Sequence, residues 1–187
     1  MAGTTILLGF VAFLAIIVIS LIGTYNRLVS LKNRIDDAWA QIDVQLRRRY
    51  DLIPNLVETV KGYAAHEKGV FEKVTEARSM AASATTVTEQ GQAQNQITSA
   101  LKSLFAVAEA YPDLKANQNF LMLQEELSGT ESKIAYARQL YNDTVMSYNT
   151  LIQSFPANLI SGPFGFQERH YFSTDAPEQR EPVKVQF

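Results

Sequence analysis

The feature that most constrains this chain is an apolar run close to its first residue. The 18 residues from Ile6 to Gly23 carry no charge, and Ser20 is their only polar side chain. At about 1.5 Å per residue, a helix of this length reaches about 27 Å, close to the roughly 30 Å hydrocarbon core of a bilayer. A helix is required there because the bilayer offers backbone groups no other hydrogen-bond partners. The sequence therefore predicts a short N-terminal segment, residues 1–5, and a transmembrane helix over residues 6–23.

The same run could instead be a cleaved secretory signal, which needs a basic start and a small-x-small exit site. No Lys or Arg precedes the run, and it ends in SLIGTYNRL without such a site. These features favour a retained anchor. Arg27, Lys32 and Arg34 follow directly, so the positive-inside rule places the C-terminal bulk in the cytoplasm and the N-terminus outside.

Beyond the anchor, the apolar residues follow helical periodicity. Two stretches show it most clearly, with steps of three or four residues. The first comprises Leu28, Leu31, Ile35, Ala38 and Ile42, and the second comprises Phe120, Leu123, Leu127, Thr130, Ile134, Ala137, Tyr141, Val145, Tyr148, Ile152 and Phe155. The prediction is an all-α fold in which the anchor continues into a helical bundle over residues 24–172.

Two local signals bear on where helices begin and end. Pro54 interrupts the first stripe, and the pattern leaves open whether it kinks one helix or separates two. Thr86-x-x-Glu89 has the spacing of a capping box and predicts a helix start.

Composition argues against several classes of function. With 17 Lys+Arg against 19 Asp+Glu, the net charge of −2 does not suit a nucleic-acid partner. The absence of Cys excludes disulfides, thiolate zinc sites and cysteine nucleophiles. His66-Glu67 begins like a zinc-protease motif, but Val70 stands where the second His is needed. We therefore predict no catalytic, cofactor-binding or metal-binding residues, and no enzymatic activity.

Three groups of residues are candidates for contacts between helices or subunits. Gly9, Ala12 and Ala15 could form a small face for close helix approach in the membrane, or simply be filler in a lone span. Arg47, Arg48 and Arg49 are expected either to form a solvated face or to pair with acidic residues of a neighbouring helix or subunit. Asn26, Asn142 and Asn149 each follow a Tyr, and they are either register-setting hydrogen-bond partners or plain surface residues.

The end of the chain combines an aromatic segment with a polar tail. Four aromatic residues, Phe164, Phe166, Tyr171 and Phe172, are expected to fold back onto the bundle because exposing all of them would be unfavourable. The tail, residues 173–187, ends with Val183, Val185 and Phe187 in strand-like alternation. The aromatic residues could form a groove that receives this tail.

Long runs of the chain resemble the LemA family. They are YNRLVSLKNRIDDAWAQIDVQLRRRYDLIPNLVETVKGYAAHEKGVFEKVTEAR, YPDLKANQNFLMLQEELSGTESKIAYARQLYNDTVMSYNTLIQSFPANLI and GPFGFQERHYF, which together cover about residues 24–172. The resemblance implies a bacterial inner-membrane protein with one N-terminal span and a four-helix up-and-down bundle. It also implies links to membrane organisation or to partner membrane proteins, including a membrane zinc protease, with no catalytic set to carry over.

Two functions remain open from the sequence. The first is a homo-oligomeric scaffold that organises or shapes the membrane, with the lipid bilayer and other copies of the chain as partners. The second is an adaptor or regulator of another membrane protein. Neither requires a cofactor or a nucleic acid.

Overall fold

The computed structural model describes residues 2–173, and all the regular secondary structure in that range is helical. The helices are α1 (Ala2–Lys61), α2 (Lys68–Ser83), α3 (Val87–Glu109), α4 (Pro112–Lys115), α5 (Gln118–Gln153) and α6 (Ala157–Ser161). The all-α prediction is confirmed. Most of the predicted polar tail lies outside the described residues.

Helix α1 contains both the predicted anchor and the first helical stripe, with Pro54 inside it. Proline lacks an N–H, so the carbonyl of Tyr50, four residues earlier, loses its usual helical donor. The side chain of Arg78, on α2, donates to that carbonyl over 3.0 Å. This contact satisfies the freed carbonyl, and Pro54 lies within one helix instead of separating two.

The start of α3 is the predicted capping box. Thr86 Oγ1 accepts from the backbone N–H of Glu89 at 3.2 Å, and Glu89 Oε2 accepts from that of Thr86 at 3.0 Å. Backbone hydrogen bonds from Thr85 and Thr86 lower the pKa of Glu89. Local sequence alone was sufficient to place this helix start.

The chain divides into two compact units. The second comprises Ala40–Gln139 together with residues 170–173 of the described chain. It is a bundle of four long helical segments, from α1, α2, α3 and α5. Arg49 contacts Glu131 and Tyr63 contacts Asn117, so residue numbers rise along α1 as they fall along α5, and the two helices run antiparallel.

The core of this second unit is almost entirely aliphatic and aromatic. Its most deeply buried members are Ile53, Leu56, Val60, Ala64, Val74, Ala81, Ile97, Leu104 and Leu114. On α1, α2 and α3 these residues recur at helical spacing, as expected for helices that bury one face in a bundle.

The first unit comprises residues up to Trp39 and Leu140–Arg169. Leu28 and Ile35 of α1 and Val145 and Tyr148 of α5 are buried in it. The rings of Trp39 and Tyr141 pack with centroids 5.6 Å apart. The apolar face of α1 thus continues beyond the anchor into a packed helix pair.

Candidate functional site: anchor and bundle surfaces

The apolar residues of the anchor point outward. Ile6 is 73% exposed, Leu8 68% and Ile19 68%, far more than a globular helix would leave uncovered. Within residues 2–173, α1 is the one helix long and apolar enough to cross a membrane. This apolar helix continues unbroken to Lys61 and fits membrane anchoring.

The small face proposed on the anchor is open. A Cβ added at Gly9 would meet no atom within 4 Å. Ala12 and Ala15 are exposed as well. Close approach of a second helix to this face remains a prediction.

A turn after α6 wraps aromatic residues around Tyr25. The rings of Phe164 and Phe166 lie 5.2 Å and 5.6 Å from that of Tyr25, both edge to face. Gly165, between them, has φ +72°, a conformation that side chains rarely adopt. The backbone N–H of Phe166 donates to Ser161 at 2.8 Å, which closes the turn.

The four aromatic residues of the predicted tail-docking groove divide between the units. Phe164 and Phe166 belong to the first, and Tyr171 and Phe172 to the second. Tyr171 is half exposed, whereas Phe172 is 1% exposed and fills a core position. The groove remains a prediction, since its expected occupant lies outside the described residues.

The three asparagines have different surroundings. Asn149 is buried, and its side chain makes two 2.9 Å hydrogen bonds to the backbone N–H and C=O of Arg169. The guanidinium of Arg169 in turn lies 3.3 Å from Asp36 on α1. Asn149 therefore fastens the segment after α6 to α5, whereas Asn26 is exposed and Asn142 half-buried.

The three consecutive arginines also differ in their exposure and in their ion-pair partners. Arg47 is exposed and pairs at 2.7 Å with Asp43 on its own helix. Arg48 reaches Glu126 on α5 at 2.6 Å. Arg49 is 2% exposed and enters the bundle. One arginine thus lies on the solvated face, and two pair with acidic residues of a neighbouring helix.

The guanidinium of Arg49 is the centre of a polar network in the second unit. It donates to Gln94 at 2.8 Å and to Thr98 at 3.0 Å, both on α3. Its Nε lies 2.7 Å from Glu131 on α5, a close charge contact that is not aligned as a hydrogen bond. Gln94 also donates to the hydroxyl of Tyr50. The network ties three helices together.

Burial controls the electrostatics of this network. Desolvation lowers the pKa of Arg49, and the charge of Glu131 opposes that shift. Desolvation also raises the pKa of Tyr50. Both shifts therefore come first from the removal of these groups from water.

An apolar groove lies between α1 and α5 in the second unit. Its volume is about 550 Å³, and Val44, Gln45, Tyr136 and Ala137 are among its lining residues. Val44 is 60% exposed and Tyr136 71%. Gln45 Oε1 is buried without a hydrogen-bond donor. Sequence reasoning missed this groove, although Val44 falls outside the buried stripe of α1.

Over residues 2–173, no three His, Cys, Asp or Glu side chains come together in a way that could hold a metal ion. The polar network around Arg49 is explained by helix packing.

Comparison with known proteins identifies the family. A LemA family model matches residues 38–187. The chain belongs to the LemA family. Protein LemA of Metamycoplasma hominis is 28% identical over 83% of this chain and 71% of its own length. Magnetosome protein MamQ 2 of Paramagnetospirillum magneticum is 26% identical over 88% of the chain and 69% of its own. MamQ of Magnetospirillum gryphiswaldense is 24% identical over the same shares.

Membership confirms the resemblance seen in the sequence. A single exposed apolar helix at the N-terminus fits membrane anchoring in a LemA-family protein. None of these three relatives carries a name that designates an enzyme.

Proposed function

We propose that this LemA-family protein is a non-enzymatic scaffold, anchored in the bacterial inner membrane, that self-associates and thereby organises or shapes the membrane. The observation that carries the proposal is the open apolar groove on a bundle whose chain also has a membrane anchor. Anchoring confines many copies to one surface, which raises their effective concentration for side-by-side contact.

The groove leaves apolar side chains exposed to water. Val44 and Tyr136 expose large apolar areas next to each other, as interaction sites do. A second copy that covered the groove would remove the side chains of Val44 and Tyr136 from water. Gly9, Ala12 and Ala15 would provide a second contact within the membrane.

The test is the mass of the full-length protein in nanodiscs or mild detergent, by light scattering with electron microscopy of the same sample. The wild type is expected to form a large symmetric assembly. Tyr136→Glu places a charge in the groove and should reduce the mass to that of small species. Met80→Glu, on α2 and 49% exposed, is the matched control and should leave the assembly intact.

A strictly monomeric wild type would overturn the scaffold proposal. It would favour the alternative drawn from the family resemblance, an adaptor for a partner membrane protein such as a membrane zinc protease. Crosslinking in cells would then give one dominant heterologous product at modest stoichiometry.

A further inference from the structure

The segment that links α5 to the aromatic turn is free of charge. No Asp, Glu, Lys or Arg occurs from residue 144 to residue 167, and none occurs in α1 before Arg27. Both stretches belong to the first unit. The unit therefore brings together two uncharged pieces of chain, of which one is the membrane anchor.

Contacts place this segment beside the last turn of the anchor. Leu21 and Ile22, at the end of the apolar run, line an apolar cavity of about 320 Å³ together with Tyr25, Ile160 and Phe164. The edge-to-face packing of Phe164 and Phe166 on Tyr25 holds the segment there. Since Ile22 lies at the bilayer boundary when residues 6–23 span, Ile160 and Phe164 lie at that level too.

The apolar side chains of the segment are nevertheless uncovered. Phe155 is 79% exposed, Leu159 61% and Phe164 62%. In water, an exposed side chain of this size forgoes the hydrophobic stabilisation that burial gives. Phe164 lines the cavity beside the anchor, and Leu159 precedes Ile160, which lines it too, so lipid is available as a different solvent for this segment.

We propose that residues 155–164 form a second membrane contact, with Phe155, Leu159 and Phe164 inserted into the lipid at the boundary where the anchor leaves the bilayer. The occupant of this surface is lipid because Ile160 and Phe164 line one apolar cavity with the last residues of the apolar run. It also has no charged group to recognise a protein partner. The apolar cavity would accept acyl chain, and an uncharged segment loses no ion hydration on entering the interface.

Such a contact would fix the first unit to the bilayer surface at two points. A lone span leaves the attached domain free to rotate about the helix axis. A second insertion beside the span restrains that rotation and sets the tilt of α1 at the boundary. The proposal rests on the membrane anchor assigned to residues 6–23.

The natural absence of Cys allows a direct test by single-cysteine spin labelling. Leu159→Cys and Phe155→Cys are labelled in the full-length protein, reconstituted at one copy per nanodisc. Accessibility of the nitroxide to oxygen, which concentrates in lipid, is compared with accessibility to a water-soluble nickel complex. Ile16→Cys, in the anchor, is the lipid reference, and Met80→Cys, on α2, is the water reference.

We expect the labels at 155 and 159 to prefer oxygen, as the label at 16 does. Water-like values at 155 and 159 with a lipid-like value at 16 would overturn the second contact and leave the anchor standing. A water-like value at 16 would overturn both. Shielding of 155 and 159 only at two or more copies per disc would assign the surface to a second copy and also overturn the lipid proposal.

Discussion

At the scale of single residues, Pro54 shows how a helix tolerates a residue that should break it. The carbonyl it frees, that of Tyr50, accepts the 3.0 Å hydrogen bond from Arg78. The donor comes from α2, 28 positions along the chain. A local defect in α1 is thus repaired by a tertiary contact.

This coupling predicts a non-additive mutant pair. Arg78→Met should lower the free energy of unfolding by about 1 kcal/mol, the typical net value of a hydrogen bond. In a Pro54→Ala background, the introduced alanine supplies its own N–H to the Tyr50 carbonyl, so the effect of Arg78→Met should fall to a few tenths of a kcal/mol. Urea denaturation in detergent of the wild type, the two single variants and the double variant gives the coupling energy of this double-mutant cycle. Lys73→Met, also on α2, is the control. An equal loss of unfolding free energy from Arg78→Met in both backgrounds would contradict the role of Arg78 as the donor to the Tyr50 carbonyl.

Neighbouring arginines provide a second residue-scale prediction. Arg49→Met removes the group that bonds Gln94 and Thr98 inside the bundle, and we expect a cost of about 1–3 kcal/mol. Arg47→Met breaks an exposed pair within one helix and should change stability by less than about 0.5 kcal/mol. Denaturation of the two variants under identical conditions compares them. Equal costs would mean that the buried network adds nothing to the fold.

At the scale of elements, a glycine in α3 allows the C-terminal segment to approach. A Cβ at Gly91 would collide with the backbone carbonyl of Ser173. Phe172, the preceding residue, is buried. The segment after Arg169 is therefore packed onto a helix whose surface is shaped to receive it.

This contact reverses the usual effect of replacing a helical glycine. Gly129→Ala, in α5 with open space around it, should stabilise the protein by about 0.5–1 kcal/mol through helix propensity. Gly91→Ala should instead destabilise it by about 1–3 kcal/mol, since backbone must move to admit the methyl group. The melting temperatures of both variants, compared with that of the wild type, measure these opposite effects on stability. A stabilising Gly91→Ala would show that the segment does not pack there.

At the scale of the whole molecule, the charges after the span predict an orientation in the membrane. Arg27, Lys32 and Arg34 favour a cytoplasmic bundle, while the segment before the span has no positive side chain. The same orientation would place the proposed scaffold on the inner face of the membrane.

Labelling in intact cells tests this orientation. Thr4→Cys should react with a membrane-impermeant maleimide in intact bacteria, and Met80→Cys should react only after the inner membrane is permeabilised. The wild type, without Cys, supplies the background. The reverse pattern would place the bundle outside the cytoplasm.

The sequence by itself determined the features that depend on near neighbours. Residues 6–23 are uncharged and almost all apolar whatever the rest of the chain does, so a candidate anchor was predictable there. Helical periodicity and the Thr86–Glu89 capping box act within one or two turns, and the structure confirms both. Family membership was likewise evident from continuous runs of residues.

Only the tertiary structure decided which polar groups became internal. Arg49 falls on the stripe of Ile42, Leu46 and Ile53, a signal that was present but outweighed by its two arginine neighbours. Whether a buried guanidinium is tolerated depends on Gln94, Thr98 and Glu131, which come from distant helices. Distant residues likewise decide two other features: Arg78 donates to the carbonyl that Pro54 frees, and Ser173 packs against Gly91. Each needs atoms far apart in sequence to meet, and that meeting is fixed by packing and not by local preference.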